Sequence, residues 1–244
     1  SGTKGSLGVF FVRKKDGTAR IIFDTRMLNL RFKDPPKTQL PTASAFSQLE
    51  FPSDEKLSMA SGDIRNAFYG LSVPDGISKM FTLPFVLASD VGISSIDNVP
   101  CSSDTLLAPC LTVLPMGWNW ALHLCQCFSS HIVRTVCNPR SFFTDYSGSK
   151  VIDKHNKCKA TSYVDNYLVL GIDHKQVDSL NKRIGKHITD IGLTVHEVAQ
   201  ASYTGEFIGL EFKNNCFSVK TKRIWRLKFA LSQICLLYTS PSPR

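Results

Sequence analysis

Two runs of β-forming residues, Ala160–Val164 and Tyr167–Leu170, are separated only by Asp165-Asn166. Asp and Asn tolerate the left-handed backbone of a two-residue loop, so the segment predicts a tight β-hairpin turning on Asp165-Asn166. Such a hairpin imposes an antiparallel strand pair and offers the Asp165 carboxylate at its tip. One Asp at a turn is commonly structural, so its meaning depends on what the rest of the chain brings to it.

The chain has 244 residues, 43% of them hydrophobic, enough to bury a core in one large domain or two small ones. No apolar run approaches the roughly 20 residues that span a bilayer. Even Leu106–Leu114 is broken by Pro109, so no membrane partner is expected. The net charge of +9 is unevenly placed. Residues 1–40 hold nine Lys/Arg against three Asp/Glu, and residues 212–230 hold six bases and no acid. Basic ends on an otherwise slightly acidic chain suit contact with phosphates. Eight cysteines occur without a Cys-x-x-Cys pair and are read as reduced thiols of an intracellular protein. His123, Cys127 and His131 share one helix face, where packing and a wet helix edge account for them without a metal.

The periodicities predict a basic-tipped hairpin from Leu7–Val12 and Ala19–Phe23, then a helix at Thr42–Leu49 capped by Thr42. A strand over Leu57–Ala60 leads to Asp63. A strand is expected at Ser78–Val86, a loop at Ala88–Thr105 and a short strand at Leu111–Leu114. Trp118–Val136 carries Leu122, Cys125, Phe128, Ile132 and Val136 at helical spacing and predicts a long buried helix. Residues 138–159 form a polar excursion. Lys175–Ile191 is an amphipathic helix stopped by Gly192, followed by strands at Leu193–His196, Glu206–Phe212 and Phe217–Lys220 and a basic helix from Lys222. Hairpins mixed with helices favour α+β over a doubly wound parallel sheet.

Asp63 and Asp165, two carboxylates at strand ends, can be folded onto adjacent strands. Nucleotidyl transfer needs such a pair, because two divalent ions about 4 Å apart activate a hydroxyl and stabilise a leaving pyrophosphate. The segments Phe11–Asn29, Ser61–Tyr69, Leu114–Trp118, Tyr163–Asn166 and Phe207–Phe212 stand in the order of reverse transcriptase motifs. The set resembles the RNA-directed DNA polymerase of a retrotransposon or retroviral-type element. The resemblance implies a right-hand polymerase fold. Fingers fall at about 1–56 and 72–111, the palm at about 57–71 and 112–213, and the start of a largely missing thumb at 214–234. The stretch 235–244 resembles a translated sequencing adapter and is expected to be a non-native tail, while Ser1 reads as a fragment boundary.

The resemblance also implies roles for single residues. Under it, Asp63 and Asp165 are the catalytic carboxylates and, with the carbonyl of Ile64, hold two magnesium ions, manganese being a substitute. It likewise implies that Lys14, Lys15 and Arg20 grip the triphosphate of an incoming dNTP and that Phe68 crowds the sugar 2′ position. Met116 and Gly117 would lie against the nucleotide, although Met cannot supply the hydrogen bonds of the Gln found in retroviral relatives. Phe207, Gly209 and Leu210 would grip the primer end. The implied partners are an RNA or DNA template with its primer and dNTPs.

Asn166 departs from the pattern, since many reverse transcriptases carry Asp there. It leaves two alternatives open: a catalytically decayed nucleic-acid-binding relic, and a viral RNA-directed RNA polymerase, some of which carry Asp-Asn at this turn.

Overall fold

The computed structural model describes residues 7–13 and 16–239. In chain order its strands and α-helices open with β1 (Gly8–Arg13), β2 (Ala19–Asp24), α1 (Arg26–Asn29), α2 (Ala43–Ser47), β3 (Ser58–Ile64) and α3 (Asp75–Ser78). Next come β4 (Val86–Leu87), β5 (Ser95–Ile96), β6 (Val99–Pro100), β7 (Leu106–Leu107), α4 (Ala121–Val136), β8 (Cys158–Tyr163) and β9 (Asn166–Gly171). The chain closes with α5 (His174–Asp190), β10 (Val195–Ser202), β11 (Thr204–Phe207), β12 (Leu210–Lys213), β13 (Cys216–Val219) and α6 (Thr221–Thr239). Two compact units result: residues through Thr38 with Ile64–Ser129, and Gln39–Asp63 with Ser130 onward.

In the first unit β1 and β2 pair antiparallel from Gly8↔Asp24 to Arg13↔Ala19, as the β-rich runs predict. The core collects Leu7, Phe23, Leu28, Phe81 and Trp118, with Phe32 and Phe81 each meeting the Trp118 ring edge-on at 5.1 Å. The expected strand at Ser78–Val86 is instead the end of α3, a turn and only the two residues of β4. Pro74 starts α3 and Pro84 withholds an N–H from any ladder. At Leu111–Leu114 Pro109 and Pro115 flank a single bridge, Ser72↔Val113, in place of the expected strand. The loop expected at Ala88–Thr105 contains the β5–β6 hairpin, whose turn residues Asp97 and Asn98 both have left-handed φ of 50° and 65°.

In the second unit the sheet order is β10-β3-β9-β8, antiparallel at β3–β9 and β8–β9. With α4 between β3 and β8, and α5 between β9 and β10, the chain traces the β-α-β-β-α-β order of a split βαβ fold. α2 begins where expected, Thr42 accepting a hydrogen bond from the Ser44 N–H at 3.2 Å. α4 begins at Ala121 and belongs to the first unit through Ser129 and to the second from Ser130; its buried stripe runs through Cys125, Ser129, Ile132 and Val133, while Leu122 of the expected stripe is exposed. α5 follows its predicted pattern, burying Val177, Leu180, Ile184 and Ile188, with Asp173 as cap.

The two faces of the sheet are covered differently. Met59, Leu168 and Leu170 join Phe46, Phe143, Phe207 and Phe212 in one core, beneath the β11–β12–β13 meander. From the other face the Tyr167 ring covers Gly62, and a Cβ on Gly185 of α5 would lie 3.4 Å from its hydroxyl. Burial pushes that phenol up to about 12. Among the described residues, no helix is long and apolar enough to cross a membrane.

Candidate functional site

β3 and β9 run side by side with Asp63 opposite Asn166, and Tyr163 of β8 is also opposite Asn166. This register makes Val164 and Asp165 the two-residue loop, correcting the expectation that Asp165-Asn166 is the turn. The cause is the alternation of β9. Leu168 and Leu170 belong to the meander-side core and Tyr167 to the α5 side, and a one-residue slip would exchange every one of them. Val164 absorbs the cost. It sits at φ 56°, a region β-branched residues avoid at roughly 1–2 kcal/mol, offset by the burial of its side chain. Such outliers concentrate at functional sites.

The Asp63 carboxylate is half-buried, and its Oδ1 has no hydrogen-bond partner among the described residues. Burial first, then the charge of Asp165, pushes its pKa above the usual carboxylate value; His196 opposes the shift and Glu197 adds to it. Asn166 donates its amide to Asp165 Oδ1 at 2.8 Å, so the residue beside Asp165 orients it without adding charge. A cavity of about 240 Å³ opens here, lined by Asp63, Asn166, Glu197, Glu206, the Phe207–Gly209 turn and Lys220. Lys220 pairs with Glu206, leaving the wall acidic toward Asp63. Among the described residues no three His, Cys, Asp or Glu side chains form a metal-holding cluster. A cation here would therefore draw on two carboxylates together with carbonyl, amide or substrate oxygens. The unmet Asp63 oxygen and hard-oxygen donor set fit a magnesium-type ion.

Phe207 and Gly209 border the same cavity, while Leu210 is buried beneath it in the core. Ile208 and Gly209 form the β11–β12 turn with φ of 45° and 81°, and the Arg223 guanidinium occupies the space a Gly209 side chain would need. Ile64 follows Asp63 at the end of β3 and is buried.

Arg20, Phe68, Met116 and Gly117 belong to the other unit. Arg20 is exposed on β2 opposite Val12, and Lys14 and Lys15 lie outside the described residues. Phe68 is half-buried in a single 3₁₀ turn against the Trp118 core. Met116 is exposed, and Gly117 has φ 110°, with a Cβ there 2.9 Å from Thr25 Oγ1. One residue that holds this loop, Asn29 at the end of α1, carries no signal in the sequence. Asn29 donates to the Gly117 carbonyl at 3.0 Å and accepts from the Asn119 N–H at 3.0 Å, tying the Met116-Gly117 turn to α1. Nothing local in the sequence links positions 90 residues apart.

No protein-family model and no curated protein matches the sequence. The fold is similar to that of a foamy viral protease-reverse transcriptase solved in complex with double-stranded DNA. The TM-score is 0.64 at 12% identity, over 100% of this chain and 34% of that one, so the chain spans about a third of that protein's length. The mixed helix and antiparallel-sheet architecture is thus reverse-transcriptase-like.

Proposed function

We propose that the chain carries the nucleotidyl-transfer centre of an RNA-directed DNA polymerase, which adds dNTPs to a primer 3′ end on an RNA or DNA template. The observation that carries this reading is that Asp63, paired with Asn166 in the ladder, feels the charge of Asp165 in the adjoining loop and has a buried oxygen with no hydrogen-bond partner among the described residues. Two carboxylates so placed repel each other unless a cation joins them. Asp63, Asp165 and the Ile64 carbonyl would hold magnesium or manganese. When bound, such ions make the primer hydroxyl a better nucleophile and stabilise the leaving pyrophosphate.

The chain's own groups orient and select. Asn166 holds the Asp165 carboxylate by its amide. Phe68 blocks a ribose 2′-hydroxyl by bulk. Arg20, with Lys14 and Lys15, takes the triphosphate, Arg through a planar fork of donors and Lys as point charges. Met116 and Gly117 border the base, where glycine lets backbone come close. Phe207, Gly209 and Leu210 set the primer end, Phe207 and Leu210 anchoring the turn in the core and Gly209 supplying its left-handed backbone.

The test is magnesium-dependent dNTP incorporation on a primed RNA template, together with calorimetric titration of manganese. Both signals are expected in the parent chain and absent in Asp63→Ala. Incorporation that survives this substitution overturns the assignment. A second reading, a non-catalytic nucleic-acid binder, draws on Asn166, a neutral amide that occupies an Asp165 oxygen. It requires primer-template binding with no response to magnesium and no synthesis.

A further inference from the structure

We propose that the solvent face of α5 is a second nucleic-acid-binding surface, specific for single strands and separate from the Asp63 cavity. Asp63 and Ser61 line their cavity on the meander side of the sheet, whereas α5 covers the opposite side, where Tyr167 spans from Gly62 to Gly185. The sheet therefore stands between the two surfaces.

A groove of about 610 Å³ runs between α5 and the end of β10. Its helix wall presents His174, Lys175, Asp178, Lys182, Arg183 and Lys186, at the spacing of one helix face. Four of these are Lys or Arg; Lys182 pairs with Asp178 at 2.6 Å and Lys186 with Asp190 at 2.8 Å, so Lys175 and Arg183 carry the net positive charge of the face. From His174 to Lys186 the row extends about 18 Å at the rise of an α-helix. Arg183 is pinned by donating to the Val136 carbonyl at 2.9 Å, so part of the wall is ordered before any ligand arrives. A second groove of about 340 Å³ shares Ser179 and Arg183 and extends the lining through His155 and Lys157, the latter paired with Asp173 at 3.5 Å.

An aromatic pair marks the end of the row and selects the ligand. His174 and Tyr203 stack with ring centroids 5.3 Å apart and planes 28° from parallel, and Tyr203 is half exposed. A cationic groove that tracks a backbone beside a ring on which a base can stack is the combination that binds single strands. An acidic peptide would answer the charge but would leave the ring pair without a role.

The experiment measures fluorescence anisotropy of labelled 20-nucleotide RNA and DNA single strands against the whole chain in EDTA. A 4-thiouridine RNA is then crosslinked and the attachment sites mapped. Lys175→Glu/Lys182→Glu/Lys186→Glu should weaken binding about tenfold or more and flatten the log–log salt dependence by about 2, at 0.7 per phosphate contact. Tyr203→Ala should weaken it about fivefold. Crosslinks should fall on α5 and Tyr203, and circular dichroism should show both variants folded. RNA and DNA bound alike assign recognition to phosphate and base, whereas RNA bound better adds the 2′-hydroxyl. Unchanged affinity in the triple variant, crosslinks confined to other segments, or polyglutamate bound in place of single strands would overturn the proposal.

Discussion

The chain contains two Asp-Asn steps at hairpins, and they fold differently. Asp97-Asn98 obeys local turn chemistry: both residues take left-handed φ in an exposed loop between two-residue strands. Asp165-Asn166 does not, because β9 is buried on both faces and its register is set by Tyr167, Leu168 and Leu170. The turn moves back one residue, Val164 takes the strained position, and Asn166 enters the ladder opposite Asp63. Local preference decides where nothing is packed, and packing overrules it where both faces are covered. At the second hairpin the overruling sets Asp165 at the loop and its neighbour's amide against it.

The contrast between the two hairpins can be broken most severely at the carboxylates. Asp165→Ala is expected to reduce magnesium-dependent dNTP incorporation by about 10³-fold or more, whereas Asp97→Ala should leave the rate within about twofold; primer-extension rates decide. The next effect is on the packing that sets the register. Gly62→Ala drives a methyl group into the Tyr167 ring and should cost about 3 kcal/mol in urea unfolding, while Gly92→Ala, with open space around it, should cost less despite its φ of 67°.

A smaller effect exposes the strain itself. Asn98→Val places a β-branched residue at φ 65° with no burial to offset it. Roughly 1–2 kcal/mol of hairpin protection should disappear from amide hydrogen exchange over residues 95–100. A full retention of protection would mean that Val164 bears no strain either.

The smallest effect is electrostatic. The folded Asp63 carboxyl has a raised pKa, so folding prefers its protonated form. As pH rises above the ordinary value of 3.8, the unfolded chain releases this proton more readily and stability falls. Asp63→Asn should therefore raise Tm at pH 7 without metal, with the gain vanishing below the ordinary carboxylate value. Magnesium should raise Tm in the parent and not in this variant.

Much of the second unit was legible in the sequence. The α5 stripe of Val177, Leu180, Ile184 and Ile188 repeats long enough for its period to show, and Thr42 announces α2 by a cap whose chemistry is local. The position of Asp63 at a strand end was legible for the same reason. The elements between Pro74 and Pro115 were not, since two-residue strands have no period and their pairing is decided by contacts such as Phe81 on Trp118. The turn at Val164 was misread because Asp-Asn is a strong local signal and the competing register lies across the sheet. Asn29 was invisible because its role is a tether to residues 117 and 119.

Gly62, Tyr167 and Gly185 lie far apart in the chain, yet the phenol fills the room that both glycines leave. Positions 62 and 167 therefore form one unit of heredity as well as of packing. A side chain can be gained at position 62 only when the ring at 167 shrinks, whereas a methyl group at 185 would merely touch the phenol, so among relatives 62 and 167 should change together, and a chain carrying Ala at 62 should carry a smaller residue at 167.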